Sequence, residues 1–178
     1  MRVRDHIALS TAGAALLRPW FGRGVVGLWA ASVLIDVDHY AWFCLQQRAW
    51  NPFAAVRFFN GALAPQHAGT RVLHTPAAPL ALLLLSVRQR RLLPAALGVS
   101  LHVTLDAHHD ARMGEARRAA LERDDFTCQA CGTRAAHVGT HLRRQPWLLP
   151  SYGPRHLISL CPECHEAAHA RKLDVAWK

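Results

Sequence analysis

Residues 128–169 read CQACGTRAAHVGTHLRRQPWLLPSYGPRHLISLCPECHEAAH, and this stretch decides the fold of the C-terminal third of the chain. It contains two cysteine pairs, and two residues separate the thiols of each pair. This spacing lets one tight turn point both sulfurs at a single tetrahedral ion, which is the geometry of a structural zinc site. The sequence therefore predicts a zinc ion held by Cys128, Cys131, Cys161 and Cys164, with free buried thiols as the alternative.

Histidines accompany the two cysteine pairs. Four thiolates complete a structural zinc shell, so the imidazoles near them are free for other chemistry. His165 and His169 are four residues apart, which places them on one face of a helix and lets them share an ion. Together with His141 and His156, they favour a second, catalytic divalent ion close to the zinc.

This stretch and the residues before it resemble the HNH endonucleases. In that family a basic helix leads through RD into a CxxCG turn, a strand ends in histidine, and a second strand precedes a CxxCH helix. The chain follows that order with RRAALERDDFTCQACGTR, HVGTHL and RHLISLCPECHEAAHAR. The resemblance covers residues 117–171 and implies a treble-clef ββα-metal fold that hydrolyses phosphodiester bonds in DNA.

The resemblance also implies a role for each histidine. His141 falls at the general base that takes a proton from the attacking water, and His165 and His169 fall at the ligands of the catalytic ion, which would be Mg²⁺, Mn²⁺ or Zn²⁺. His156 stands where the family usually carries an asparagine that orients the base. Thr140 stands where the family usually carries an aspartate or histidine ligand, so a module that binds DNA without cleaving it is the alternative.

The charge of the chain agrees with a nucleic-acid partner. Lys and Arg number 21 against 12 Asp and Glu, a net charge of +9 with neutral histidines. Such a surface binds phosphate backbones without reading sequence. The basic residues expected to contact DNA are Arg117, Arg118, Arg143, Arg144 and Arg155. A solvated basic face, or attraction to anionic lipid, explains the same charge.

Residues 1–110 have a different composition, rich in alanine and leucine and punctuated by Pro, Gly and Arg. Their apolar runs predict a bundle of four helices at about 5–18, 24–47, 70–88 and 92–109. The composition turns from apolar to charged at 110–115, which predicts a short linker running into a basic helix. We therefore expect a mainly α protein, with an apolar helical domain at 1–110 and a small α+β zinc module at 111–178.

Polar side chains recur within these apolar helices at helical spacing. They are Asp36, Asp38, His39, His74, His102 and Asp106. Burying carboxylates and imidazoles is costly unless they pair or bind a metal, so the set predicts an internal metal site. Buried hydrogen-bonded residues that fix helix packing are the alternative. DVDH, the segment ending in HTP and HVTLD also resemble the bacterial inner-membrane metal-dependent hydrolases, in which such motifs are proposed to bind metal.

This second resemblance favours membrane association of residues 1–110, at the cytoplasmic face of the inner membrane, with a cytoplasmic protein as the alternative. No cleavable signal peptide is evident, and no motif predicts a small-molecule cofactor. We expect a metal-dependent endonuclease acting on DNA. Two rival functions remain: a membrane-bound hydrolase whose site lies in the helical half, and a non-catalytic DNA-binding zinc module on a membrane anchor.

Overall fold

The structure is a computed structural model, and it describes residues 3–59, 72–134, 138–142, 149, 151–170 and 172–173. The chain divides into two compact units, Met1–Ala107 and His108–Lys178. The first unit, called the helical unit here, is built from α-helices and short 3₁₀ turns. The second adds a two-stranded sheet and contains the four cysteines predicted to bind zinc, and it is called the zinc-knuckle unit here after that prediction. The chain is thus mainly helical with one small sheet, as the composition predicts.

The helices of the described chain are α1 (Val3–Phe21), α2 (Val25–Leu34), α3 (Val37–Gln47), α4 (Pro52–Phe59), α5 (Ala77–Arg88) and α6 (Leu93–Arg123), and a short α7 (Pro162–His169) follows the sheet. A 3₁₀ turn at Gly22–Gly24 connects α1 to α2, and these two helices pack against each other. α6 contributes its first half to the helical unit and its second half to the zinc-knuckle unit.

Several helix boundaries differ from the sequence prediction. The helix expected at 24–47 is broken between α2 and α3, because Asp36 has a ψ of 2°, far from the helical value of about −42°. The third helix begins only at Ala77, after a 3₁₀ turn at Val72–His74, and Pro76 occupies its N-cap. α4 was not predicted. The first two residues of the predicted third helix, 70 and 71, lie outside the described residues.

The charged segment 110–115 is helical, so the predicted linker is wrong. It lies inside α6, which runs without a break to Arg123. The segment contains alanine, arginine, methionine and glutamate, all good helix formers, and its single glycine costs only about 1 kcal/mol. A change from apolar to charged composition therefore marks a change of environment along one helix rather than a break in the backbone.

The helical unit buries several polar side chains and exposes many large apolar ones. Its buried polar side chains include Asp5, His6, Ser10, Ser32 and His102. Large apolar side chains are exposed on α1 to α5, among them Leu16, Trp20, Leu45, Phe53 and Leu84. The Ser10 and Ser32 hydroxyls share a hydrogen bond of 2.7 Å between α1 and α2. Apolar Leu28 and Ala96 are fully buried as well, so the interior contains both kinds of side chain.

One helical stretch in the described part of the chain, Arg4–Gln47, is long and apolar enough to cross a membrane on length and composition alone. That stretch lies near the N-terminus and includes the turn at Gly22–Gly24 and the break at Asp36. A single such stretch is weak evidence for a membrane span, since core helices and signal sequences have the same composition.

A glycine sets the distance between α2 and α6. A Cβ on Gly98 would lie 2.1 Å from the carbonyl oxygen of Leu28, which belongs to the backbone and cannot swing away. We expect Gly98→Ala to destabilise the helical unit by about 1–3 kcal/mol, the usual cost of overpacking. The matched control is Gly27→Ala, because nothing lies within 4 Å of that position and alanine is the better helix former.

Thermal unfolding of both glycine variants checks this prediction. The melting temperature should fall for Gly98→Ala and stay level or rise for Gly27→Ala. Equal melting temperatures for the two variants would mean that α2 and α6 do not approach as closely as the structure describes.

The zinc-knuckle unit has an antiparallel sheet of β1 (Gly139–Leu142) and β2 (Leu157–Leu160), with His141 opposite Ile158. Every residue of β2 is buried. Leu157 packs with Met113, Ala116 and Ala120 of α6. On the other side, Ile158 and Leu160 pack around Cys128 and Cys161. β2 therefore links the second half of α6 to the cysteine cluster.

An arginine and an aspartate fix the end of α6 onto β2. Arg123 donates two hydrogen bonds of 2.7 Å to the carboxylate of Asp124, and it also donates to the carbonyl oxygen of Leu157. Asp124 accepts a further bond from the backbone N–H of Ser159. Burial alone would raise the pKa of Asp124, but the bonds from Arg123 and Ser159 outweigh it and lower that pKa. The RD pair that precedes the first cysteine pair is therefore structural.

Candidate metal centres

The four predicted cysteines form one cluster. The sulfurs of Cys128, Cys131, Cys161 and Cys164 all lie within 4.8 Å of one another. The Cys131 and Cys161 sulfurs are 3.8 Å apart. Tetrahedral zinc with Zn–S bonds of about 2.3 Å separates its sulfurs by about 3.8 Å. The cluster therefore has the chemistry and the spacing to hold a structural metal such as zinc, and the described chain has no disulfide among these residues.

Local backbone geometry explains why each pair converges. After Cys131 the chain turns at Gly132, whose φ of +76° is the left-handed region that favours glycine. The backbone N–H of Cys128 donates to the carbonyl of Thr133, which closes the turn. The second pair uses a helix start instead, with Cys161 at the N-cap of α7 and Cys164 in its first turn.

The histidines predicted to share an ion also lie together. The rings of His141, His165 and His169 are edge to face, with centroids 4.7 to 5.1 Å apart. Each ring offers a nitrogen within 4.8 Å of the others. His141 comes from β1, and the other two come from one face of α7. This cluster, called the histidine triad here, could hold a divalent ion.

Two imidazoles of the triad, those of His141 and His165, favour the neutral form. Burial lowers the pKa of His141, and repulsion from protonated His169 and His165 lowers it further. Burial and His169 also lower the pKa of His165, against a small opposing effect of Glu166. Neutral imidazole is the form that binds a metal or accepts a proton, so these two rings suit either role at neutral pH.

The other predicted residues of this unit are not members of the triad. His156 lies in a 3₁₀ turn before β2, and its Nε2 accepts a hydrogen bond from Arg155. Thr140 is one residue from His141 on β1, where successive side chains point to opposite faces. Of the arginines expected to contact DNA, Arg117 and Arg118 are exposed on α6 and Arg155 is exposed before β2, whereas Arg143 and Arg144 lie outside the described residues.

The helical unit contains a second cluster, which gathers four of its six predicted polar residues tightly. These four, called the helical tetrad here, are Asp36, His74, His102 and Asp106. They belong to two overlapping groups of possible ligands that share His102, one with Asp36 and His74 and the other with Asp106 and His6. His74 Nε2 lies 3.1 Å from Asp36 Oδ1, 3.0 Å from His102 Nε2 and 3.8 Å from Asp106 Oδ2. His102 Nε2 lies 3.7 Å from Asp36 Oδ1 and 3.4 Å from Asp106 Oδ2. A tetrahedral zinc ion with bonds of about 2.0–2.1 Å separates its ligands by about 3.4 Å.

Outer contacts orient the two tetrad histidines. His102 Nδ1 lies 2.7 Å from the carbonyl oxygen of Ser32, which can only accept, so Nδ1 carries a hydrogen. The Nε2 atoms of His102 and His74 face each other 3.0 Å apart, beside two carboxylates. Burial alone would lower the pKa of His74, but its hydrogen bonds to Asp36 and Asp38, 3.1 and 3.3 Å away, raise that pKa to about 9. His74 Nε2 therefore carries a proton at neutral pH, and a metal ion would have to displace that proton.

The remaining polar residues surround the tetrad. Asp38 orients His74 and accepts a hydrogen bond from the backbone N–H of Leu73. His39 Nε2 lies 3.8 Å from Asp36 Oδ1. His6, buried in α1, contacts the second oxygen of Asp106 at 3.0 Å, and its ring stacks on that of His102. Partners of this kind orient metal ligands in proteins. The Ser32 carbonyl was missed by sequence reasoning, since backbone carbonyls leave no sequence signal.

The described residues thus offer five groups of possible metal ligands: the cysteine cluster, the histidine triad and three overlapping groups in the helical unit. Four thiolates suit a closed structural site. Three imidazoles leave coordination positions open, and the helical tetrad combines two imidazoles with two carboxylates, as hydrolytic metal sites do. Comparison of the chain with family models, curated proteins and solved structures found no match.

Proposed function

We propose that the zinc-knuckle unit is a metal-dependent endonuclease of the HNH type that hydrolyses phosphodiester bonds in DNA. The observation that carries the proposal is the convergence of His141, His165 and His169 directly beside the cysteine cluster. Two strands are followed by a helix, with one cysteine pair before the sheet and one at the helix start, and this order supports the treble-clef ββα-metal fold that we propose.

In this proposal the residues of the triad divide the work. His141, on the strand, accepts a proton from the water that attacks phosphorus, while His165 and His169 hold a divalent ion from α7. The bound ion would supply charge stabilisation at the phosphate and at the leaving 3′ oxygen. The zinc held by the four thiolates keeps the strand and the helix at the spacing that the triad needs.

Plasmid nicking tests this proposal. Full-length protein with Mg²⁺ or Mn²⁺ should convert supercoiled plasmid to the nicked form, and EDTA should stop the reaction. His165→Ala and His169→Ala should each raise the Mn²⁺ concentration needed for half-maximal nicking by about 10-fold or more, since each removes a metal ligand. The matched control is His108→Ala, which removes an exposed histidine of the same unit from α6.

Absence of nicking with every divalent ion would contradict the nuclease proposal and favour a non-catalytic DNA-binding module. That rival predicts plasmid retention on filters, with an affinity that falls steeply as salt rises. Arg117 and Arg118 are exposed on α6 and would contribute to it. Unchanged affinity in the Arg117→Ala, Arg118→Ala double variant would exclude this surface.

A second candidate function belongs to the helical unit, and the convergence of His74 and His102 on two carboxylates favours it. Their Nε2 atoms lie 3.0 Å apart beside Asp36 and Asp106, and this set could hold a metal ion in place of the proton on His74. We propose that this unit is a metal-dependent hydrolase, with His39 and Asp38 close to the ion. The exposed apolar side chains of its helices support association with a membrane, and flotation of the protein with lipid vesicles tests that part of the proposal.

The metal content of two variants tests the helical tetrad. His102→Ala should reduce the zinc bound per chain by one ion, because it removes a ligand. Asp38→Asn should keep the ion but weaken its affinity by about 10- to 100-fold, the usual effect of changing an outer partner of a ligating histidine. Atomic emission of the dialysed protein and a chelator competition measure both effects.

The cysteine cluster should be unaffected by either substitution, which gives an internal reference of one zinc ion per chain. If His102→Ala and wild type hold the same amount of zinc, the tetrad is only a buried hydrogen-bonded network. If Asp38→Asn loses the ion completely, Asp38 is a ligand rather than an outer partner.

A further inference from the structure

An apolar groove lies in the helical unit between α2, α5 and α6. Its volume is about 310 Å³, at the lower end of the range of ligand pockets. Side chains of Leu34, Ile35, Leu73, Ala78, Leu82 and Val99 line it. Among the described residues, no charged side chain lines it. A polar ligand would lose hydration in this groove without gaining hydrogen bonds, so the groove suits a hydrocarbon.

The groove lies next to the helical tetrad. Ile35 immediately precedes Asp36, and Leu73 immediately precedes His74. Val99 lies three residues before His102 on α6, one turn away on the same side of the helix. The backbone N–H of Leu73 also donates to Asp38, 2.9 Å away. Three lining residues are therefore close in sequence to tetrad residues, which places the groove near the tetrad, although no tetrad residue lines the groove itself.

The outer rim of the groove continues into the exposed apolar surface. Leu34 and Leu73 line the groove and are still 63 % and 37 % exposed. Val37, Val72 and Leu80, their neighbours in sequence, are exposed as well. A hydrocarbon chain could therefore enter the groove from a membrane without crossing water.

We propose that the groove holds the hydrocarbon chain of a membrane lipid whose anionic head group binds the metal of the helical tetrad. This proposal rests on the second candidate function and names its substrate class, an amphiphile with an oxygen-donating anionic head. The hydrocarbon chain of the lipid would supply affinity through its buried methylenes, and the metal would select the anionic head group. A soluble phosphoester without a chain would use only the second of these contributions.

Binding of alkyl phosphates to the full-length, zinc-loaded protein tests the proposal by calorimetry. The probes are methyl, hexyl, octyl and decyl phosphate, each below its micelle concentration. Affinity should rise with chain length by up to about four-fold per buried methylene, which corresponds to about 0.8 kcal/mol. Ala78→Trp, which fills the groove, should remove this dependence and weaken decyl phosphate at least ten-fold while methyl phosphate binds as before.

Two further variants keep the result interpretable. Leu84→Trp places the same side chain on the exposed face of α5, outside the groove, and should bind like wild type. Leu82→Ala enlarges the groove and should extend the chain length at which affinity stops rising. If Ala78→Trp does not fold, the Leu82→Ala variant alone tests the proposal. If affinity then stops rising at the same chain length as in wild type, the hydrocarbon chain does not lie in the groove.

The outcomes separate the groove from the metal centre. Zinc-dependent binding of methyl phosphate with no effect of chain length would keep the metal centre and overturn the lipid proposal. Chain-length dependence that Ala78→Trp leaves intact would also overturn it, since the chain would then lie on the outer apolar surface. If groove-dependent binding persists without zinc or in His102→Ala, the hydrocarbon chain binds in the groove but the head group does not bind the metal, and that part of the proposal is wrong.

Discussion

Cys131→Ser should remove one zinc ion per chain and abolish the cooperative unfolding of the zinc-knuckle unit. Cys131 is exposed, and an exposed thiol without a ligand role could be replaced by serine within about 0.5 kcal/mol. If Cys131 is one of four zinc ligands, however, its loss removes part of a zinc-binding free energy of about 10–16 kcal/mol, which is coupled to folding. Among the described residues the sheet of this unit has two strands, and Cys128 and Cys161 belong to one of its two hydrophobic clusters, so loss of the ion should also disturb the packing. Atomic emission and differential scanning calorimetry measure the two effects.

The control is Cys44→Ala in α3. Cys44 is buried against Phe43 and Ala55, so its loss should lower the stability of the helical unit slightly while the zinc content stays unchanged. Substitution of a buried residue usually destabilises a protein more than substitution of an exposed one. Here we expect the exposed Cys131 to have the larger effect on stability. Retention of the full zinc content by Cys131→Ser would show that the four thiols do not form one metal site.

The cysteine cluster was predictable from sequence because its information is local. Two residues between cysteines, a glycine after one pair and a helix start at the other bring each pair of sulfurs together without help from the rest of the fold. His165 and His169 follow in the same way from helical spacing. Contact of His141 with these two histidines depends on the pairing of β1 with β2. The sequence predicted that contact only through the family resemblance.

The helical unit was less predictable because its information is long-range. Apolar residues occur on all faces of its helices, so hydrophobic periodicity could not locate the break at Asp36 or separate α4 from its neighbours. The polar residues of the tetrad were identified, since aspartate and histidine are conspicuous in apolar helices. Which of them would be ligands and which outer partners depended on Ser32 and Asp38, whose contacts with His102 and His74 cross 70 and 36 residues of chain.

His141→Ala should lower the rate of plasmid nicking by about 10²–10⁴-fold, the usual contribution of a general base. The side chain is half-buried at the end of β1 and belongs to neither hydrophobic cluster of the zinc-knuckle unit, so its loss should change neither zinc content nor melting temperature appreciably. Rates are measured with saturating Mn²⁺. His108→Ala serves as the control again, because it removes an exposed histidine from the same unit.

The pH dependence of nicking identifies the role of His141. A general base works deprotonated, and burial together with His169 and His165 holds the pKa of His141 below its ordinary value of 6.5. The wild-type rate should therefore rise with pH, with a midpoint below 6.5, and stay level above pH 7. If His141 is instead a third metal ligand, excess Mn²⁺ will restore nicking to His141→Ala, whereas no metal concentration can replace a missing base. If the variant nicks like wild type and His102→Ala does not, the chemistry belongs to the helical tetrad.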